Sequence, residues 1–327
     1  MKKGLIYVLF STALFSTMEV VLKLVTNTYN PIQLTFLRFL IGGIILLPLA
    51  VKNLKLRECK LKVNDLAFFS LTGFICVVVS MVLYQMAIVY SQASVVAVLF
   101  SCNPVFVILF AFLLLHEKIY KHTIVSLIIS ILGIIVIMNP ANIAGNGLGI
   151  MLILLSAVTF SVYSVISRKR SGIYGGLALT CFSFLFGSLE MFLLIMLTRL
   201  APISAFFNEI GLNAFASVPI LGGLSMQSLP SLIYIGVFVT GLGYTFYFMA
   251  MEKTSAATAS LVFFIKPALA PLIALLVIHE PITLNMAIGI LLILTGSAIS
   301  FIYGIKISKN ESKKDAEKEL PEMVRPE

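Results

Sequence analysis

Four ionisable side chains, Glu19, Arg38, Glu190 and Lys266, lie inside stretches that otherwise read as hydrocarbon. A charge near the centre of a bilayer costs about 3 kcal/mol or more unless it is paired or faces water, so such residues point to a substrate or ion pathway. Lys266 falls in "FFIKPALAPLIALLVIHEPI", residues 263–282. It lies about ten residues into an apolar run, hence near mid-bilayer by rise per residue. Its ammonium would either anchor a substrate carboxylate or phosphate, or pair with an internal carboxylate for structural reasons. Arg38, about two turns into its own run, would hold an anionic group bidentately or gate the outer side. The competing reading has it reaching outward to lipid headgroups or capping helix-end carbonyls.

Glu19 and Lys23 are four residues apart and share a helical face, so they can neutralise each other. Lys23, nearer the interface, is expected to snorkel. Glu19, one turn deeper, is a candidate proton carrier or a partner for Arg38 or Lys266. Glu190 is the second candidate for proton coupling, or else an outward-facing polar residue. Asn103-Pro104 stands where the later copy of the same segment has Lys266-Pro267. Each proline removes one helical hydrogen bond and leaves a carbonyl free, which makes Asn103 a plausible component of a site. Tyr84 and Tyr247, with Tyr244, would line a cavity or serve as packing.

The two His-Glu pairs, His116-Glu117 and His279-Glu280, tempt a metal reading. "HEKIYKH" is not HExxH, however: His116 and His122 are six apart and cannot share a helix face. Glu117 and Glu280 are instead expected to brace the short turns into the following helices, where a carboxylate favours the helix dipole. No metal or cofactor site is expected. The cysteines, Cys59, Cys76, Cys102 and Cys181, show no CxxC spacing.

The elements that carry these residues are set by composition. The chain is 60% hydrophobic and 11% charged, with a mean hydropathy of +1.07. Soluble domains carry about 25% charged residues. Apolar runs of about 20 residues recur, and period-2 alternation is absent, which disfavours a barrel. The expectation is an all-α membrane protein with ten transmembrane helices: 4–24, 32–51, 66–88, 93–115, 122–139, 148–167, 174–198, 230–250, 256–278 and 282–303. The net charge of +9 follows loop placement rather than a nucleic-acid patch. Lys52, Lys55, Arg57, Lys60 and Lys62 fill the second connection, Lys118 and Lys121 the fourth, and Arg168, Lys169 and Arg170 the sixth. Lysine and arginine concentrate in cytoplasmic loops. Both termini are therefore expected inside, with the long seventh connection outside. The polar tail, 305–327, is expected to be disordered.

The chain repeats itself. Gly73, Tyr84, Pro104, His116-Glu117 and Gly133 recur 163 positions later as Gly236, Tyr247, Pro267, His279-Glu280 and Gly296. A shift of 145 brings Gly4, Ser11, Phe15-Ser16, Val20 and Lys23 onto Gly149, Ser156, Phe160-Ser161, Val165 and Arg168. The halves are read as 1–141 and 142–304. Five spans is an odd number, so the copies enter the membrane from opposite sides. Inverted-topology repeats characterise secondary transporters, with the substrate held where the halves meet.

Two five-helix halves, "LTFLRFLIGG" at 34–43, and the stretches from proline to "HE" ending at Glu117 and Glu280 resemble the drug/metabolite transporter superfamily, and within it the EamA-like transporters. The resemblance covers about residues 4–303. It implies export of small metabolites, such as amino acids or related carboxylates, across a bacterial inner membrane. The chain departs from many relatives in having no tryptophan, so any contact that relatives make with a tryptophan of the first span is absent. Two further classes stand beside a transporter: a membrane scaffold or assembly subunit, which needs no charge at mid-depth, and an intramembrane enzyme. The enzyme would need a nucleophile–base pair or metal ligands at one depth, and no such spacing occurs.

Overall fold

The computed structural model describes residues 2–116, 121–138, 147–253 and 261–318, and their regular structure is entirely helical. The apolar helices, in chain order, are α1 (Lys2–Leu24), α2 (Pro31–Leu56), α3 (Val63–Tyr90), α4 (Ala93–Leu115), α5 (Lys121–Met138), α6 (Gly147–Arg168), α7 (Gly176–Thr198), α8 (229–253), α9 (Leu261–Ile278) and α10 (Leu284–Lys318). Seven of these, α1 to α4 and α6 to α8, are long and apolar enough to cross a membrane. The apolar parts of the other three, Ile124–Met138, Ile265–Ile278 and Leu284–Ile299, are shorter. Exposed Leu113, Ile128, Leu193, Leu276 and Leu291 cover the outside, while Ser11, Ser16, Thr72, Ser80 and Ser161 are buried. Apolar outside and polar inside is the distribution that suits lipid, and the protein is a multi-pass membrane protein.

Local chemistry sets the helix ends. Asn30 caps α2, its side-chain oxygen accepting from the Ile32 and Gln33 N–H groups at 2.9 and 3.3 Å, and Pro31 occupies the first turn. Gln33 then donates to the carbonyls of Ile220 and Gly222, and Asn30 to that of Ala214, so the long connection before α8 is fastened over the start of α2. Gly175 at φ 76 ends a single turn, Ser171–Tyr174, so α7 begins at Gly176 rather than at the expected 174. The expected start of the ninth span, at 256, lies outside the described residues.

Proline acts differently in the two copies. Pro104 stands in the first turn of Asn103–Leu115, after a break at Ser101 and Cys102, so α4 is two pieces. Pro267 and Pro271 lie within an unbroken α9. The π-helical segments match better, at Phe74–Ser80 in α3 and Tyr234–Leu242 in α8. Such wide turns often accompany functional sites. His116 and His279, 163 positions apart, both adopt φ 55 beyond the ends of their helices.

The helices pack in a pattern that survives exchange of the two halves. α1 packs on α8 and α9, as α6 packs on α3 and α4. α2 packs on α8, as α7 packs on α3. The pairs α2/α7, α4/α9 and α5/α10 map onto themselves. Glycines allow the closest approaches. A Cβ at Gly73 of α3 would stand 2.5 Å from the Gly187 nitrogen of α7, and one at Gly133 of α5 would stand 2.9 Å from the Gly289 carbonyl of α10.

α10 extends as helix to Lys318, and 305–318 contains neither glycine nor proline.

Candidate functional site

Helix spacing puts Ser16 and Glu19 on one buried face of α1, and Glu19 meets α9. There Lys266, 3% exposed, holds its ammonium 2.5 Å from Glu19 Oε1. The Tyr84 hydroxyl of α3 donates to the same oxygen at 2.5 Å. Glu19 Oε2 has no partner among the described residues. The ammonium also lies 6.0 Å from the Phe100 ring centroid, and that ring packs edge-on against Tyr84 at 4.9 Å. One acidic and one basic side chain from opposite halves are thus joined under an aromatic cover. An ion pair in this setting persists only because its geometry and hydrogen bonds offset the loss of hydration.

Arg38 stands beside this pair without joining it. The side chain is 1% exposed. Its Nη1 reaches only Met18 Sδ, at 3.8 Å, and the guanidinium carbon lies 4.4 Å from the Phe39 ring centroid and 5.9 Å from that of Tyr84. Nε and Nη2 have no partner among the described residues. Ser183, the equivalent position of the second half, is satisfied by exchanging a hydrogen bond with Thr72 at 2.8 Å. The arginine does not reach toward headgroups, because it is buried against the rings of Phe39 and Tyr84.

The remaining sequence candidates lie apart. Asn103 donates to the Ala157 carbonyl of α6 at 3.2 Å, while its own carbonyl accepts from Ser161. It occupies in the α4/α6 seam the place that Lys266 holds in α9/α1, without charge. Tyr247 packs on Phe248 and Phe263, both at 5.3 Å. Glu190 accepts from the Ser70 hydroxyl. Ser70 precedes Tyr84 by fourteen positions, roughly 20 Å along the same helix, so Glu190 is not part of this cluster. Glu117 lies outside the described residues.

Two charges do work at helix ends that spacing did not suggest. Glu280 accepts from the Ala93 and Ser94 N–H groups at 2.8 and 2.9 Å and from Ser94 Oγ at 2.6 Å. It caps the N-terminus of α4 from across the molecule, rather than bracing only its own turn into α10. Lys23 donates to the carbonyls of Ile88 and Ser91 at 2.8 and 2.6 Å, closing the C-terminus of α3 instead of snorkelling. Both charges match the sign of the helix end they meet. Together they pin the connection between α3 and α4 to α1 and α9, at the end predicted to be external. Before α7, burial first and the neighbouring Asp65 second hold the Tyr174 phenol above its ordinary range.

Sequence inspection missed Ser94, Met18 and Phe100. Ser94 carries no signal, because its equivalent in the second half is Ala257. Phe100 does carry one: it recurs as Phe263, three residues before Lys266, in the doubled segment.

The profile of the EamA-like transporter family matches residues 2–139 and again residues 147–302. The chain is 41% identical over 309 residues to an uncharacterized transporter of Clostridium kluyveri, which spans 92% of this chain and 94% of the relative. It is 27% identical over 267 residues to an uncharacterized transporter of Archaeoglobus fulgidus, spanning 82% of this chain and 87% of the relative. A crystal structure 17% identical in sequence superposes with a TM-score of 0.62, over 92% of this chain and 98% of the other, and shares the fold.

Proposed function

Because the chain belongs to the EamA-like transporter family, we propose that this membrane protein is a secondary transporter, exporting small metabolites such as amino acids or related carboxylates by alternating access. Two inverted five-helix halves, 1–141 and 142–304, enclose the substrate, and ten spans cross an inner membrane with both termini cytoplasmic. The double profile match, the packing that survives exchange of halves and the paired φ 55 histidines support the duplication.

One observation carries the reading: the Glu19–Lys266 pair, which joins α1 of one half to α9 of the other and is buried beside a third charge, Arg38. A scaffold needs no such charges in its seam, whereas a carrier uses groups that can exchange partners as the seam opens. The Lys23 and Glu280 contacts close one end of that seam, and outward opening requires their release. Solute counterflow into proteoliposomes, with a panel of amino acids and organic acids, tests the proposal. Accelerated exchange of one solute class is expected. No movement of any solute by folded protein overturns the reading in favour of a scaffold.

A further inference from the structure

We infer that Arg38, not Lys266, meets the substrate, and that the site selects a singly charged carboxylate with an apolar body over a zwitterionic amino acid. The inference rests on the transporter reading and narrows its substrate class.

The charge count comes first. The buried ionic groups among the described residues are Glu19, Arg38, Lys266 and Asp65. Asp65 pairs with Arg170 at 3.2 Å, near the start of α3 and remote from Tyr84. Glu19 and Lys266 cancel one another, which leaves one positive charge, on Arg38, without a counter-ion. A buried, unpaired guanidinium is strongly unfavourable. One bound negative charge makes the site neutral. A zwitterion would leave it as charged as before, and a doubly charged anion would overshoot.

Geometry gives the same answer. The unpartnered donors, Nε and Nη2, form one edge of the guanidinium, the edge whose two parallel N–H groups fit the two oxygens of a carboxylate. Both atoms are buried. Nη1, on the other edge, already rests on Met18. Lys266 offers no such opening, since its ammonium sits on Glu19. The surroundings are aromatic: Phe39 and Tyr84 flank the arginine, Phe184 stacks edge-on with Phe39 at 4.6 Å, and Tyr244 follows at 5.2 Å from Phe184. These rings suit an apolar substrate body. The second half supplies no matching charge, because Ser183 stands at the equivalent position.

Three probes that share a phenyl body and differ in their charged groups test this on the full-length protein: 3-phenylpropionate, phenylalanine and phenethylamine. Ligand-induced thermal stabilisation in detergent gives binding, and proteoliposome counterflow gives transport. 3-Phenylpropionate is expected to bind roughly tenfold or more tightly than phenylalanine, with no binding of the amine. Arg38→Gln should abolish that binding. Arg38→Lys keeps the charge but loses the two-donor edge, and should weaken binding roughly tenfold. Equal or tighter binding of phenylalanine, failure of 3-phenylpropionate to bind, or unchanged binding in Arg38→Gln overturns the assignment. The two readings fail separately. Counterflow of another solute that is indifferent to Arg38→Gln removes this inference and leaves the transporter. Binding of 3-phenylpropionate through Arg38, without movement of any solute, removes the transporter and leaves the site.

Discussion

Glu19 of α1 and Lys266 of α9 hold each other at 2.5 Å, and Tyr84 donates to the same carboxylate oxygen. The bond is the point at which the two halves of the chain exchange charge, and both partners are almost wholly buried. Removing one partner strands the other in a medium without water.

Lys266→Ala should therefore destabilise the protein by about 3–5 kcal/mol and abolish counterflow. Lys266→Arg keeps the charge and should retain part of both. The double variant Glu19→Gln/Lys266→Met should recover most of the stability but none of the transport. Thermal unfolding in detergent beside counterflow checks this. Full transport by Lys266→Ala would return the lysine to a structural role.

Tyr84→Phe removes one hydrogen bond to a charged acceptor and leaves the ring packing on Phe100 intact. A loss of about 1.5–3 kcal/mol is expected, smaller than that for Lys266→Ala. Chemical denaturation of the purified variant measures it.

Glu280→Ala removes three hydrogen bonds from the start of α4. The expected cost is about 1–2 kcal/mol, in the range of a lost helix cap. With Cys59 replaced by Ser, the pair Ser94→Cys/Glu280→Cys, bridged by a short bis-methanethiosulfonate reagent in place of the lost glutamate arm, should arrest counterflow, and reductant should restore it. Undiminished transport in the crosslinked protein would show that this end need not open.

Gly73→Ala places a methyl group 2.5 Å from the Gly187 nitrogen and 2.7 Å from the Ser183 carbonyl, where no flexible side chain can give way. A loss of about 1–3 kcal/mol is expected. Gly172→Ala, with nothing within 4 Å, serves as the control and should leave the melting temperature unchanged.

Much of this arrangement was legible in the chain. Apolar runs located the helices, and the doubled Pro and His-Glu positions located equivalent points in two halves. Lys266 and Glu19 announced themselves because a charge among leucines is physically conspicuous. What stayed hidden was partnership across distance. Glu280 and Ser94 are 186 positions apart, and a carboxylate beside a turn suggests its own turn first. Lys23 read as a snorkelling residue because the α3 carbonyls it meets come from another part of the chain. The isolation of Arg38 was equally unreadable, since an unpartnered edge is a property of its surroundings and not of its spacing.

The α5/α10 pair has a mechanical consequence. One member comes from each half, and they touch through Gly133 and Gly289, with Ser126 donating to the Gly296 carbonyl at 2.6 Å. The glycines let the two main chains approach there, with Ile137 and Ile293 packed across the contact. The ion-bearing seam, by contrast, is made of groups that can trade partners. On the proposed alternating access, the α5/α10 edge is the hinge-post about which the ion-bearing seam opens.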